Sequence, residues 1–155
     1  MAAIKSLSGA GWLKDADDNF QSLKSLAGYH VTPFVFDTAA NDATSPTPVS
    51  NKTVAAHPLA VTIPDNAIVI GGHVDVITAV TSDGDATVAI GLVAANDLLT
   101  ATGKASLAIK AQLPMAAVIA APIKLEAAKA VTVTVGTAAL TAGKINGYII
   151  WIEGE

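Results

Sequence analysis

Strict alternation of apolar and small polar residues dominates most of this chain. The clearest case is residues 131–135, where three valines on one face alternate with two threonines on the other. A period of two places successive side chains on opposite faces of a β-strand, whereas an amphipathic helix needs a period of 3.6. Similar stretches contain Leu59, Ile68 and Val88, and glycine, proline and aspartate separate them. The pattern predicts an all-β fold.

Short strands joined by turn residues are typical of a β-sandwich, and we expect a jelly-roll-like version. The longest predicted strand, residues 68–80, has Gly71 and Gly72 in its middle, which predicts a bulge or bend. Its even-numbered residues, beginning with Ile68, form the predicted core face. The Asp83-Gly84 pair that follows predicts a hairpin turn into the next strand.

The first part of the chain lacks this alternation. We therefore predict an N-terminal arm and linker at residues 1–55 and a β-sandwich domain at residues 56–155. A short amphipathic helix is predicted within residues 15–27, ending at Gly28. Residues 31–36 resemble an edge strand or an extended arm, because a proline interrupts them.

The composition favours association. Hydrophobic residues make up 52% of the chain and charged residues only 14%, against about 25% charged residues in an ordinary soluble domain. The last predicted strand, residues 144–153, is apolar on both faces, so both faces need cover. One face is the predicted core face. The other carries Tyr148, Ile150 and Ile152 and is the predicted subunit interface, with the N-terminal arm as the alternative cover.

The arm contains its own apolar side chains. Trp12 lies in a glycine- and alanine-rich stretch, and a tryptophan in an arm is often an anchor for a partner's pocket; the alternative is that it folds back on its own domain. Phe20 and Leu23 form one stripe of the predicted helix, with Leu26 beside it. Because so short a helix is marginal alone, we expect these four residues to anchor the arm on a larger protein surface.

The motifs of common enzymes and cofactor sites are missing from the sequence. His73 and Asp75 share one strand face, but no third ligand or nucleophile accompanies them, so a structural polar pair is the favoured interpretation. His30 and His57 show no paired metal-ligand spacing, and we expect solvent or interface positions for both. The chain has no cysteine. We expect no enzymatic activity and no cofactor.

Charge and hydropathy exclude two further classes of partner. The net charge is −4 and the chain contains no arginine, which argues against nucleic acid, because binding requires several neutralised phosphates. The longest apolar run, residues 111–123, is short and contains two prolines, which argues against a membrane helix. The first five residues lack the apolar core of a signal peptide, so we expect synthesis in the cytoplasm.

Two stretches resemble a known group of proteins. Residues 61–92 (VTIPDNAIVIGGHVDVITAVTSDGDATVAIGL) and residues 131–153 (VTVTVGTAALTAGKINGYIIWIE) resemble small structural proteins of tailed bacteriophages. The resemblance implies a virion protein, in particular a capsid decoration (cement) protein. It further implies a homotrimer on the outer capsid surface, with an arm that reaches over the major capsid protein.

In that role the protein would stabilise the phage head by bridging major capsid protein subunits, and it would be made in the host cytoplasm. The alternative function is a tail, fibre or baseplate component, or a host-surface binding module on the same sandwich. Rows of exposed aromatic residues or a repetitive stalk would favour the alternative, and the sequence shows neither.

Overall fold

The computed structural model describes residues 28–44 and 46–155, which fold into β-strands with one short α-helix and one turn of 3₁₀ helix at Lys104–Ser106. The helix, α1, is Ala116–Ala120. The strands are β1 (Tyr29–Asp37), β2 (Ala55–Ile63), β3 (Ala67–Thr81), β4 (Thr87–Gly91), β5 (Leu99–Gly103), β6 (Gln112–Pro114), β7 (Ile123–Lys124), β8 (Lys129–Gly136) and β9 (Ala142–Glu153). The helix predicted within residues 15–27 lies outside the described residues.

The strands form two antiparallel sheets that pack face to face. The first sheet has the order β1-β9-β3-β6, with β7 also paired to β3, and the second has the order β2-β8-β4-β5. The first strand therefore pairs with the last, the second with the second to last, β3 with β6 and β7, and β4 with β5. The predicted all-β sandwich is confirmed.

Apolar side chains from both sheets fill the space between them. The valine face of β8 is fully buried, as the alternation predicted, and Val133 is 0% exposed. Ile145 and Ile149 of β9 enter the core from the first sheet, beside Phe36 of β1. Threonines occupy the alternate positions of β8, which are only partly buried. The period of two thus separates core from surface along this strand.

A bulge in β3 changes which of its residues face the core. The pairing of β3 with β9 shifts between Val69 and Gly71, so Ile70 is an extra residue, and the predicted bulge is present one residue before the two glycines. Val69 is fully buried before the shift, and Val74 is fully buried after it. The prediction that Ile68 faces the core is wrong, because the extra residue reverses the alternation and leaves Ile68 on the outer side.

Two connections differ from the sequence-based expectation. β1 pairs with β9 over its whole length, so residues 29–37 belong to the sandwich and not to an arm extending through residue 55. Pro33 is compatible with this pairing because β1 is an edge strand, where one donor can be missing. The predicted hairpin at Asp83-Gly84 is wrong: β3 and β4 lie in different sheets, and this turn links the sheets.

Gly147 provides a test of the packing between β1 and β9. It lies opposite Phe34, whose ring occupies the space that a side chain at residue 147 would need. An added Cβ would contact Phe34 Cε1 at 2.7 Å and the carbonyl oxygen of His73 at 2.9 Å. We expect Gly147→Ala to lower the free energy of unfolding by about 1–3 kcal/mol through overpacking, measured by urea denaturation.

Gly103→Ala is the matched control for this substitution. A Cβ at Gly103 has no heavy atom within 4 Å, and the backbone there is extended with a φ of −68°. Its free energy of unfolding should change by no more than about 0.5 kcal/mol. Equal losses in the two variants would contradict the packing that we describe at Gly147.

Candidate interaction surface

The first sheet exposes an apolar surface on the side away from the core. We call this surface the outer face. Strand pairing aligns its side chains in rows across the sheet, because residues opposite each other on neighbouring strands point to the same side. Its members are Tyr29, Val31, Pro33 and Val35 of β1, Tyr148, Ile150 and Ile152 of β9, and Ile68, His73 and Asp75 of β3.

Two apolar or aromatic rows make up much of the outer face. Val31 lies opposite Ile150, and Tyr29 lies opposite Ile152, which in turn pairs with Ile68 of β3. Val31 is 61% exposed and Tyr29 is 54% exposed. The β9 isoleucines are half-buried. Contiguous apolar surface of this kind is uncommon on a free monomer and is typical of interaction sites.

The outer face contains all three residues predicted for a subunit interface. Tyr148, Ile150 and Ile152 project from the same side of β9, and Tyr148 is 42% exposed. Their role in a subunit contact stays a prediction. The neighbouring β1 residues were not among the predicted site residues, although they extend the same surface.

A shallow hollow of about 220 Å³ lies at the polar end of the outer face, between β3 and β9. His73, Asp75, Asn146 and Tyr148 line it, and the rings of His73 and Tyr148 are 6.1 Å apart. The described residues contain no cluster of three potential metal ligands. His73 and Asp75 thus share a face, as expected, within a surface hollow beside apolar rows.

A tight set of hydrogen bonds organises the connection between β1 and β2. Asp42 Oδ1 accepts the backbone N–H groups of Thr44 (3.0 Å) and Val49 (2.9 Å), and Asp42 Oδ2 lies 3.1 Å from His57 Nδ1. His57 Nε2 lies 2.9 Å from the carbonyl oxygen of Thr53. The His57 side chain is fully buried, so the prediction of a solvent or interface position is wrong.

The environment of Asp42 favours its ionised form. The two N–H groups that it accepts, from Val49 and then Thr44, together with the bond to His57, outweigh the effect of burial and lower its pKa from 3.8 to about 2. Burial opposes this shift because it disfavours the charged carboxylate. The carboxylate is therefore ionised at all pH values well above 2.

A cleft of about 490 Å³ separates the two edge strands β1 and β2. Its walls include Pro33 and Val35 of β1 and Leu59 and Val61 of β2. Residues 40–43, which contain Asp42, form another part of the lining. The connection held by Asp42 and His57 therefore shapes this opening of the sandwich.

No family model matches the sequence, and no curated protein matches it. Solved structures do match. The chain shares its fold with bacteriophage capsid chains. One is from the capsid of Helicobacter pylori bacteriophage KHP30, with a TM-score of 0.54 and 16% identity over 82% of this chain and 89% of that chain.

Two further capsid chains give nearly the same agreement. The chain from the cyanophage Pam1 capsid has a TM-score of 0.54 and 15% identity, and the match covers 81% of this chain and 84% of the Pam1 chain. The chain from the capsid of Ralstonia phage GP4 has a TM-score of 0.53 and 18% identity, with 81% and 86% covered. At such identities the likeness concerns the fold.

The remaining predicted site residues cannot be placed on this surface. Trp12, Phe20, Leu23 and Leu26 lie outside the described residues, so their anchoring role stays a prediction. In the described part of the chain, no helix is long and apolar enough to cross a bilayer.

The pKa of Asp42 predicts how stability depends on acid. Because the folded-state pKa of about 2 lies below the ordinary 3.8, the unfolded chain binds a proton first as the pH falls. The stabilisation from Asp42 is complete above about pH 4 and is lost as the pH falls towards 2. Between pH 4 and pH 2, the urea concentration at the unfolding midpoint should therefore fall less for Asp42→Asn than for the wild type.

Asp85→Asn is the control for this measurement, since Asp85 is an exposed aspartate in the turn between β3 and β4. Its midpoint should follow the wild-type curve. If Asp42→Asn and Asp85→Asn had identical acid profiles, the hydrogen bonds to the Asp42 carboxylate would not account for the acid dependence.

Proposed function

We propose that this protein is a structural component of a bacteriophage capsid. The observation that carries the proposal is the likeness to three capsid chains, which extends over 81–82% of this chain and 84–89% of theirs. The match thus spans most of this chain and most of each capsid chain.

Within the capsid we assign the chain the role of a decoration (cement) protein on the outer surface. A decoration protein needs one surface for its own copies and another for the shell. The outer face, with Tyr148, Ile150 and Ile152, is the proposed contact between copies in a homotrimer. The arm, with Trp12, Phe20, Leu23 and Leu26, is the proposed contact with the major capsid protein.

This division gives a physical account of head stabilisation. Each arm contact is weak alone, because a short amphipathic segment buries little surface. Three arms on one trimer would bind together at a high effective concentration, which raises the affinity for a repeating shell. A trimer bound across several shell subunits would resist their separation under the pressure of packaged DNA.

The contact between copies predicts the effect of a charge on the outer face. Val31→Lys places a cation in the apolar rows beside Ile150, where burial in an interface would leave it unpaired. We expect the trimer to dissociate, with at least a tenfold weaker self-association constant, measured by light scattering at several concentrations.

Ile109→Lys is the matched control, because Ile109 is also 61% exposed but lies outside the outer face. This variant should remain trimeric, and circular dichroism should show that both variants keep their sheets. A wild-type protein that is monomeric at all concentrations, or a trimer unaffected by Val31→Lys, would contradict the proposed interface.

The proposed contact between the arm and the shell predicts that apolar arm residues are needed for attachment. Trp12→Ala and Leu23→Ala in the full chain should reduce co-sedimentation with undecorated shells about tenfold or more, since each removes an apolar anchor. Gln21→Ala, a polar position in the same segment, should bind as the wild type does. All three should stay trimeric.

The alternative function predicts a different result in the same assay. A tail, fibre or baseplate component, or a host-surface binding module, would not sediment with shells, and imaging with a labelled antibody would place it away from the head. Either result would refute the decoration role.

A further inference from the structure

His57 is the one histidine among the described residues whose ring is completely enclosed, and both of its nitrogens have partners. Nδ1 lies 3.1 Å from Asp42 Oδ2, and Nε2 lies 2.9 Å from the carbonyl oxygen of Thr53. The side chain of Asp42 is 1% exposed and that of His57 is 0% exposed, so the pair is shielded from water. No part of the proposed capsid function uses this pair.

We infer that Asp42 and His57 form a proton-dependent clasp, in which the doubly protonated ring helps to hold residues 50–54 through Thr53, and loss of one ring proton loosens them. The inference does not depend on the proposed function. It rests on the number of hydrogen atoms that the two contacts require.

Both contacts need the ring to donate. A carbonyl oxygen can only accept a hydrogen bond, so the Nε2 atom beside Thr53 must carry a hydrogen. An ionised carboxylate also only accepts, so the Nδ1 atom beside Asp42 must carry one too. A neutral imidazole has a single N–H, and would leave one nitrogen lone pair facing an oxygen at about 3 Å.

A neutral ring with a protonated Asp42 would satisfy the same distances, but the surroundings of Asp42 disfavour it. Its other oxygen, Oδ1, already accepts N–H groups from Thr44 and Val49. These bonds hold the pKa of Asp42 near 2, so at neutral pH the carboxylate can only accept hydrogen bonds from the ring.

The other elements around the ring contribute no competing charge. β1 presents Phe36, whose ring centroid is 6.3 Å from that of His57, and β8 presents Val133 opposite His57. Lys52, in the same turn as Thr53, is exposed. Asp37 forms its salt bridge with Lys144, at 3.2 Å. In the described part of the chain, Asp42 is thus the charged partner of the ring.

Deprotonation should affect one side of the clasp more than the other. The neutral ring keeps its best bond by donating from Nδ1 to the Asp42 carboxylate, which leaves Nε2 facing the Thr53 oxygen without a hydrogen. Residues 50–54 then lose that bond. Other bonds remain, from Asn51 N–H to the Ala40 oxygen (3.2 Å) and from Leu140 N–H to the Lys52 oxygen (2.8 Å), while the buried Asn51 Oδ1 has no hydrogen-bond partner among the described residues.

Release would reshape the opening between β1 and β2. Asn51 Nδ2 donates to the carbonyl oxygen of Asp37 at 2.9 Å, and Asn51 also lines the 490 Å³ cleft. Movement of this turn would therefore change the wall of the cleft. Asp42, held by Thr44 and Val49, would keep its place.

A titration of the full-length wild-type protein by nuclear magnetic resonance tests the clasp. The ring ¹⁵N shifts of His57 report whether one or two nitrogens carry hydrogen, and amide hydrogen exchange reports the protection of residues 50–54. We expect two ring protons in the closed state. As the pH rises through the range in which the closed state loses one of them, the protection factor should fall by up to about tenfold per pH unit and then level off, as linkage to one proton requires.

The curves of His30 provide an internal control. His30 is partly exposed, at 38%, and lies 3.5 Å from Glu153, so its titration should leave the protection of residues 50–54 unchanged. A singly protonated His57 ring in the fully protected state would overturn the inference, and so would protection that does not follow the His57 curve.

A substitution provides a second, independent readout. Glutamine cannot gain or lose a proton in this range, so His57→Gln should abolish the pH-dependent step in protection, whereas His30→Gln should retain it. Persistence of the step in a folded His57→Gln protein would also overturn the clasp. If His57→Gln does not fold, the wild-type titration decides the matter.

Discussion

The whole architecture depends on β9 lying in the middle of the first sheet. This strand pairs with β1 on one edge and with β3 on the other, and one of its faces closes the core through Ile145 and Ile149. A central strand with two apolar faces needs cover on both. The second sheet covers one face, and the other becomes the outer face of the protein, so a single strand links the stability of the fold to the proposed contact between copies.

Much of the fold follows from local patterns. The valines and threonines of β8 separate core from surface as their alternation requires, and Gly71-Gly72 indicates a bulge in this part of β3. The consequence of the bulge could not be predicted, because one extra residue reverses the facing of Ile68, and its exact position depends on pairing with β9. The turn after β3 had the composition of a hairpin, but a turn's composition does not say whether its two strands share a sheet.

The candidate surface was partly predictable for the same reason. Tyr148, Ile150 and Ile152 stand out because β9 is apolar on both faces, which a sequence displays directly. Tyr29 and Val31 join them only through the register of β1 with β9, which pairs residues more than a hundred positions apart. His57 was missed because its partner Asp42 lies 15 residues away in an irregular connection, where no periodicity relates the two.

The pairing of the first described strand with the last also affects how the chain folds. Closing a loop of more than a hundred residues costs entropy before the contacts of the sheet repay it, and topologies with such distant pairings fold slowly. During synthesis β1 cannot pair with β9 until β9 has emerged from the ribosome, and its edge stays unpaired until then. Pro33 lies in the middle of that edge and lacks an N–H group, which makes β1 a poorer template for strands of other chains. The proline that interrupts this strand thus limits its aggregation while the protein is incomplete.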